Sequence, residues 1–136
     1  MNTSPAVKTA LVVEDSPAMR ELIVSSISIL PNIQPVQASN GFEALKTLPL
    51  QSIDIILTDI NMPDINGLEL VSFVKNHPHY RNIPVVIITT EKSEADRTRG
   101  LALGADHYLN KPFDPHDLQQ IICDLLEMDR SDYSGI

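Results

Sequence analysis

The chain has 136 residues, which is the length of a single domain. Its residues are 43% hydrophobic, enough for a core, and ten Lys and Arg against eighteen Asp and Glu leave a net charge of −8. The sequence has no cluster of basic residues that could follow a phosphate backbone, so we expect no direct binding to nucleic acid. One cysteine excludes a disulfide framework, and no apolar stretch reaches the ~18 residues of a spanning helix. We therefore expect a cytoplasmic protein that does not enter the membrane.

Strand and helix patterns alternate along the whole chain. Short runs of β-branched residues predict strands at residues 9–14, 33–38, 53–58, 84–89 and 106–109. Apolar residues at helical spacing predict helices at residues 16–30, 41–48, 67–76, 93–103 and 114–128. Such alternation is typical of an α/β fold, a doubly wound five-stranded parallel sheet flanked by five helices.

Prolines mark the element boundaries and indicate where the second strand lies. Pro17 follows Ser16 and Pro115 follows Asp114, and both pairs are typical of an N-cap before the first helical residue. Pro35 would remove a ladder hydrogen bond from a central strand, so strand two is predicted at a sheet edge. The order 2-1-3-4-5 satisfies this requirement and predicts a ligand site outside the carboxyl ends of strands one and three.

Polar residues stand where the predicted strands end. Strand one ends in Glu14 and Asp15, strand three in Asp59 and strand four in Thr89, and strand five runs into Lys111. Two carboxylates 4 Å apart repel each other by about 4 kcal/mol at an effective dielectric constant near 20, so the cluster needs a cation. Oxygen ligands suit one Mg²⁺ ion. A carboxylate held in this way is a nucleophile toward phosphorus, and the lysine and the threonine hydroxyl would contact the phosphoryl oxygens.

These residues, together with the segment at 57–67, resemble the receiver domain of response regulators in two-component systems. The resemblance covers residues 7–128 and implies the flavodoxin-like (CheY-like) fold, so the order 2-1-3-4-5 rests partly on it. Residues 129–136 are expected to be a short tail, and no output domain is expected.

The resemblance implies a role for each residue of the acidic cluster. Asp59 would accept a phosphoryl group from a sensor histidine kinase or a histidine phosphotransfer protein. Asp15, Asp59 and the backbone carbonyl of Asn61 would bind Mg²⁺, and Glu14 would act mostly through water. Lys111 would hold a phosphoryl oxygen.

The resemblance also implies a conformational switch. The Thr89 hydroxyl would move toward the phosphoryl group, and Tyr108 would turn inward behind it. A half-buried Tyr108 with a hydrated hydroxyl is the alternative. The peptide bond between Lys111 and Pro112 is expected to be cis, and Gly67 is expected to permit the turn into the third helix.

We therefore expect a single-domain response regulator. It would be a phosphorylation-dependent switch rather than an enzyme, although it would assist its own phosphorylation and slow dephosphorylation. Its protein target would bind the face formed by the helix at 93–103, the strand at 106–109 and the helix at 114–128. Control of chemotaxis and an intermediate place in a phosphorelay both suit this role.

Two other functions stay open at this point. A degenerate receiver could serve as a docking module without phosphorylation. The intact acidic, hydroxyl and lysine positions argue against this, but Thr90 keeps it open because the family usually has a smaller residue there. A phosphohydrolase that forms an aspartyl-phosphate would need a second Asp where Asn61 stands, and an amide cannot act as general acid. Asn61 and Glu91 occupy positions at which the family tunes hydrolysis of the phosphoryl bond.

Overall fold

The computed structural model describes residues 6–128, so the predicted tail at 129–136 lies outside the described residues. One parallel sheet is formed by β1 (Lys8–Val13), β2 (Ile33–Ala38), β3 (Ile55–Thr58), β4 (Val85–Thr89) and β5 (His107–Asn110). The helices are α1 (Pro17–Ile27), α2 (Gly41–Thr47), α3 (Gly67–Asn76), α4 (Glu94–Ala102) and α5 (Pro115–Leu125). The strand order β2-β1-β3-β4-β5 confirms the predicted doubly wound sheet. None of these five helices has the length and apolar character needed to cross a bilayer.

The core has two halves, one on each face of the sheet. Side chains of α1 and α5 pack on one face, where Val12 and Leu57 lie, and those of α2 and α3 pack on the other, where Leu11 and Ile56 lie. β3 and β4 are buried along their whole length. Strands covered on both faces need apolar residues at successive positions, which explains why their sequences are continuous hydrophobic runs.

The position of β2 at the sheet edge is confirmed. Pro35 lies opposite Ala10 of β1, and β2 has no second neighbouring strand in the sheet. An edge strand can hold a proline because only one of its sides carries ladder hydrogen bonds.

Side-chain caps explain where the helices begin. The Ser16 hydroxyl accepts from an N–H of the first turn of α1, and the Asp114 carboxylate does the same for α5. Both prolines follow as predicted. α3 begins with a reciprocal capping box that the sequence analysis did not identify, in which Asn66 and Glu69 accept from each other's backbone N–H groups.

α1 and α5 end earlier than predicted. The Ser28 hydroxyl donates to a carbonyl of the last turn of α1. Leu30 is buried although it lies beyond the helix, so the apolar spacing in the sequence continues past the helix end. α5 ends in a Schellman-type turn. Glu127 takes a φ of 55°, and the Met128 N–H donates to the Cys123 carbonyl at 2.8 Å. Because neither end carries a glycine, the sequence lacks the usual stop signal.

Candidate functional site

The backbone of the sheet holds the predicted site residues in place. Glu14, Asp59 and Lys111 are each the first residue after a strand. Each of them still donates its backbone N–H to a carbonyl of the neighbouring strand. These bonds measure 3.1 Å from Glu14 to β2, 3.1 Å from Asp59 to β1 and 2.9 Å from Lys111 to β4. The three side chains are therefore attached to a rigid part of the fold.

Three carboxylates meet at this edge. One oxygen each from Glu14, Asp15 and Asp59 lie within 4.8 Å of one another. Glu14 is 1% exposed and Asp59 8% exposed, whereas Asp15 faces solvent. The ammonium of Lys111 lies 2.5 Å from Oε1 of Glu14 and 3.4 Å from Oδ2 of Asp59. The structure thus brings together four residues that the sequence analysis placed at strand ends.

Burial and ion pairing act in opposite directions on Glu14. Burial raises the pKa of Glu14, and the hydrogen bond from the Lys111 ammonium and the N–H of Ser16 act to lower it. The negative charge of Asp59 adds a smaller contribution that raises the Glu14 pKa. Burial dominates, so the pKa lies above its usual value. A buried acid that is tied to a lysine on one side is suited to structural and electrostatic support of its neighbours.

The donor set of the cluster fits a divalent cation. The side chains of the cluster offer carboxylate oxygens as ligands, and the three carboxylates carry two negative charges more than Lys111 can balance. Mg²⁺ prefers a few carboxylate oxygens together with retained waters, and the exposed Asp15 leaves one side of the cluster open to solvent. The residues present therefore match such an ion in charge and in ligand type.

The loop after β3 is held tightly under α3. Oδ1 of Asp59 accepts from the Ile60 N–H at 2.7 Å, and the Ile60 carbonyl accepts from the Gly67 N–H at 2.9 Å. A Cβ atom on Gly67 would lie 2.0 Å from the Asp59 carbonyl oxygen. The glycine is required at the start of α3 by this close approach and not by a positive φ. The residue of the loop with positive φ is Asp64, at 66°.

The loop between β4 and α4 is organised around Glu91. The Tyr108 hydroxyl donates to the Glu91 carbonyl at 2.9 Å, and the Thr89 hydroxyl accepts from the Glu91 N–H at 3.2 Å. Oε1 of Glu91 accepts from the Asn61 amide at 2.8 Å. Tyr108 is 4% exposed, so the alternative of a half-buried ring with a hydrated hydroxyl is wrong. Burial also raises the pKa of the Tyr108 phenol.

Thr89 and Thr90 differ in their surroundings. Thr89 is fully buried, whereas the side chain of Thr90 is exposed. The peptide bond between Lys111 and Pro112 is cis, as expected.

Three residues near the site were not assigned a role from the sequence. Arg20 donates to the Glu14 carbonyl at 2.7 Å, and the Asn110 amide donates to the Glu91 carbonyl at 2.7 Å. The guanidinium of Arg97 lies over the Tyr108 ring, 5.8 Å from its centroid. Each contact depends on how neighbouring elements and loops pack, so no local sequence signal indicated these roles.

A cavity of about 540 Å³ lies at the amino-terminal ends of the strands, opposite the acidic cluster. It is bordered by residues 48–53 before β3 and by His79, Tyr80 and Ile83 before β4. Because these segments precede their strands, the cavity is at the amino ends and is separate from the acidic cluster.

Comparison with known proteins identifies the family. The family model of the response regulator receiver domain matches residues 10–123. The chemotaxis protein CheY homolog of Campylobacter jejuni is 36% identical over 117 residues, which cover 85% of this chain and 90% of the relative.

Solved structures agree with this result. CheY4, a chemotaxis protein of Vibrio cholerae, superposes with a TM-score of 0.81 at 31% identity, covering 89% of this chain and 100% of that one. The receiver domain of the Pseudomonas aeruginosa sensor histidine kinase PA1611 gives a TM-score of 0.80 at 26% identity, covering 90% and 99% of the two chains. That structure holds a magnesium ion in its active site cleft. Sequence, fold and acidic cluster agree, and the chain belongs to the response regulator receiver domain family, whose members are signalling switches of two-component systems.

Proposed function

We propose that residues 7–128 form a receiver that accepts a phosphoryl group on Asp59 and passes the signal to a protein target. The observation that carries the proposal is the position of Asp59. Its carboxylate is mostly buried, lies within 4.8 Å of two other carboxylates and faces the Lys111 ammonium at 3.4 Å. A docking module would need neither the convergence of these acids nor a buried lysine among them.

Mg²⁺ is the cation we propose for this cluster. Asp15, Asp59 and the backbone carbonyl of Asn61 would hold it, with Glu14 acting mostly through water. When bound, the ion neutralises negative charge on the acids and on the phosphoryl oxygens. The similar receiver domain of PA1611, with its magnesium ion, supports this choice.

The chemistry assigned to Asp59 is a nucleophilic displacement at phosphorus. A carboxylate oxygen of Asp59 forms the new P–O bond while the P–N bond to the donor imidazole breaks, and that imidazole leaves with its electron pair and gains a proton. Lys111 places its positive charge against a phosphoryl oxygen, where it stabilises the negative charge of the transition state. The donor is a sensor histidine kinase or a histidine phosphotransfer protein.

The proposed switch uses Thr89 and Tyr108. The Thr89 hydroxyl, which accepts from the Glu91 N–H at 3.2 Å, would turn to the phosphoryl group. Tyr108, which was expected to turn inward behind it, already lies inward in this structure and would stay there. The rearranged α4–β5–α5 face would bind the target protein. Similarity to the chemotaxis CheY homolog supports a target that controls motility.

Intact-protein mass spectrometry after incubation with Mg²⁺ and acetyl phosphate tests the proposal. We expect one added phosphoryl group on the chain and none on Asp59→Asn or in the presence of EDTA. If no adduct forms, a Mg²⁺ titration separates two explanations. Tight binding of the ion indicates that a protein donor is needed, whereas absence of binding contradicts the proposal and favours the docking module.

A further inference from the structure

Two side chains of β5 share one acceptor in the loop between β4 and α4. Asn110 donates its amide to the Glu91 carbonyl at 2.7 Å, and the Tyr108 hydroxyl donates to the same oxygen at 2.9 Å. A carbonyl oxygen has two lone pairs, so both donors can be accommodated at once. The Asn110 amide also lies 3.3 Å from the Thr89 carbonyl.

Asn110 is anchored more firmly than Tyr108. The backbones of both residues pair with β4, but the short side chain of Asn110 reaches the loop directly from the strand. Tyr108 reaches the same oxygen only from the end of a long side chain, and one rotation about χ1 would carry its hydroxyl away. The loop can therefore remain in place when Tyr108 leaves, provided that Asn110 holds it.

Glu91 transmits this restraint to the acidic site. Its N–H donates to the Thr89 hydroxyl at 3.2 Å, and its carboxylate accepts from the Asn61 amide at 2.8 Å. Asn61 follows Asp59 by two residues in the loop after β3. A displacement of the Glu91 backbone would thus move groups on both sides of the site.

We propose that Asn110 is a positioning residue that acts through Glu91. Its amide holds the Glu91 carbonyl where the inward Tyr108 needs an acceptor, and it keeps the Glu91 side chain turned toward Asn61. Asn110 thereby favours the inward Tyr108 before any phosphoryl group is present. The effect on phosphoryl chemistry rests on the function proposed above, whereas the effect on Tyr108 does not.

The first test is ¹⁹F NMR of the full chain labelled with 3-fluorotyrosine, without phosphodonor. The sequence holds three tyrosines, so Tyr→Phe variants assign the Tyr108 signal. The inward, buried ring is identified by a small change in its ¹⁹F chemical shift between H₂O and D₂O. In Asn110→Ala we expect the ratio of inward to outward Tyr108 to fall about three- to tenfold, which is the range for loss of one net hydrogen bond.

Two further variants separate positioning from general stability. Asn76→Ala also removes an amide that donates to a backbone carbonyl, that of Ser72 at 2.8 Å, but far from Glu91, and should leave the Tyr108 ratio unchanged. Asn110→Gln retains the amide and should restore part of the ratio. An Asn110→Ala ratio equal to that of wild type would overturn the proposal. If that variant fails to fold by circular dichroism, Asn110→Ser is measured in the same way and the same criterion applies.

The second test follows the phosphoryl group. In Asn110→Ala the rate of dephosphorylation should change by at least threefold. Glu91→Ala should change this rate in the same direction, and the double variant should differ little from either single variant. Additive rates would contradict transmission through Glu91. If wild type forms no adduct and binds no Mg²⁺, the proposed function fails, and the NMR ratio still decides whether Asn110 positions Tyr108.

Discussion

Among the described residues, Lys111 is the only one that forms salt bridges with the carboxylates of the acidic cluster. Its neighbours differ in exposure, since Glu14 and Asp59 are buried and Asp15 is not. The lysine therefore pairs closely with Glu14 and lies 3.4 Å from Asp59, where it would meet a phosphoryl oxygen if the proposed function is right.

Replacing Lys111 should separate metal binding from signalling. In Lys111→Met the cluster keeps its three carboxylates and loses its ammonium, so we expect tighter Mg²⁺ binding, a largely intact fold and loss of the response to phosphorylation. Isothermal titration calorimetry at pH 8 measures the first effect, and target binding with acetyl phosphate measures the last. A methionine variant that signals normally would refute the role of Lys111.

Tyr108 should titrate at unusually high pH. Burial raises its pKa above 10.0, with further contributions in the same direction from Asp96 and Glu91. The folded state therefore keeps the phenolic proton at a pH where the unfolded chain loses it. The stability that Tyr108 contributes is present below the unfolded pKa and is lost as pH rises through the folded pKa.

Absorbance at 295 nm tests this assignment. The titration curve of wild type minus that of Tyr108→Phe should have its midpoint above 10.0. A midpoint at or below that value would show that the ring is not buried in solution.

The acids and the lysine could be found from the sequence because each follows a strand directly. Arg20 and Asn110 could not, because their roles depend on which carbonyl a neighbouring loop presents to them. The same applies to Glu14, whose near-complete burial depends on how the chain turns into α1.

At the scale of elements, the start of α3 is linked to the position of Asp59. Ile60 and Gly67 are joined by a backbone hydrogen bond, and the space between Gly67 and the Asp59 carbonyl is too small for a methyl group. Any side chain at position 67 must push the loop or the helix away.

Gly67→Ala should consequently destabilise the fold, although helix propensity alone predicts a gain in stability, and it should also slow phosphorylation. Alanine favours a helix over glycine by about 1 kcal/mol, whereas overpacking costs about 1–3 kcal/mol. We expect net destabilisation in urea and a several-fold slower reaction of Asp59 with acetyl phosphate. Gly100→Ala is the comparison, because its Cβ would meet the flexible end of Ile87 at 2.8 Å and not the backbone of Asp59. Equal phosphorylation rates in the two variants would contradict this coupling.

The helix starts and ends show where local signals suffice. Ser16 and Asp114 stand before prolines, and both caps were predicted from these pairs. The early ends of α1 and α5 were not, because apolar residues such as Leu30 continue the helical spacing into a turn that packs on the same core.

At the scale of the molecule, the ten elements within residues 6–128 could all be predicted from periodicity and proline positions. The buried strands are read directly from continuous apolar runs, and Pro35 indicated the edge. The complete strand order needed the family resemblance as well, because local patterns do not say which strand pairs with which.

The acidic cluster should also affect the stability of the whole fold. Without a divalent ion the repulsion among its carboxylates opposes folding, and a ligand that binds only the native state stabilises it by about 2.7 kcal/mol at 100 times Kd. We expect Mg²⁺ to raise Tm. Asp15→Asn should raise Tm in EDTA, by about 4 °C for each kcal/mol of repulsion removed, and should reduce the gain from Mg²⁺.

Thermal unfolding with and without Mg²⁺ measures both effects. Asp124→Asn, an exposed acid on α5 outside the cluster, is the control for a general loss of negative charge. If it shifts Tm as much as Asp15→Asn does in EDTA, the effect reflects overall charge and not the cluster.

The outer edge of the sheet limits how copies of this chain can meet. Pro35 of β2 lacks an N–H, and Gln34 and Gln37 of the same strand are exposed. Such an edge is a poor template for another strand. Copies of the chain should therefore not polymerise by adding strands at β2, even at high concentration.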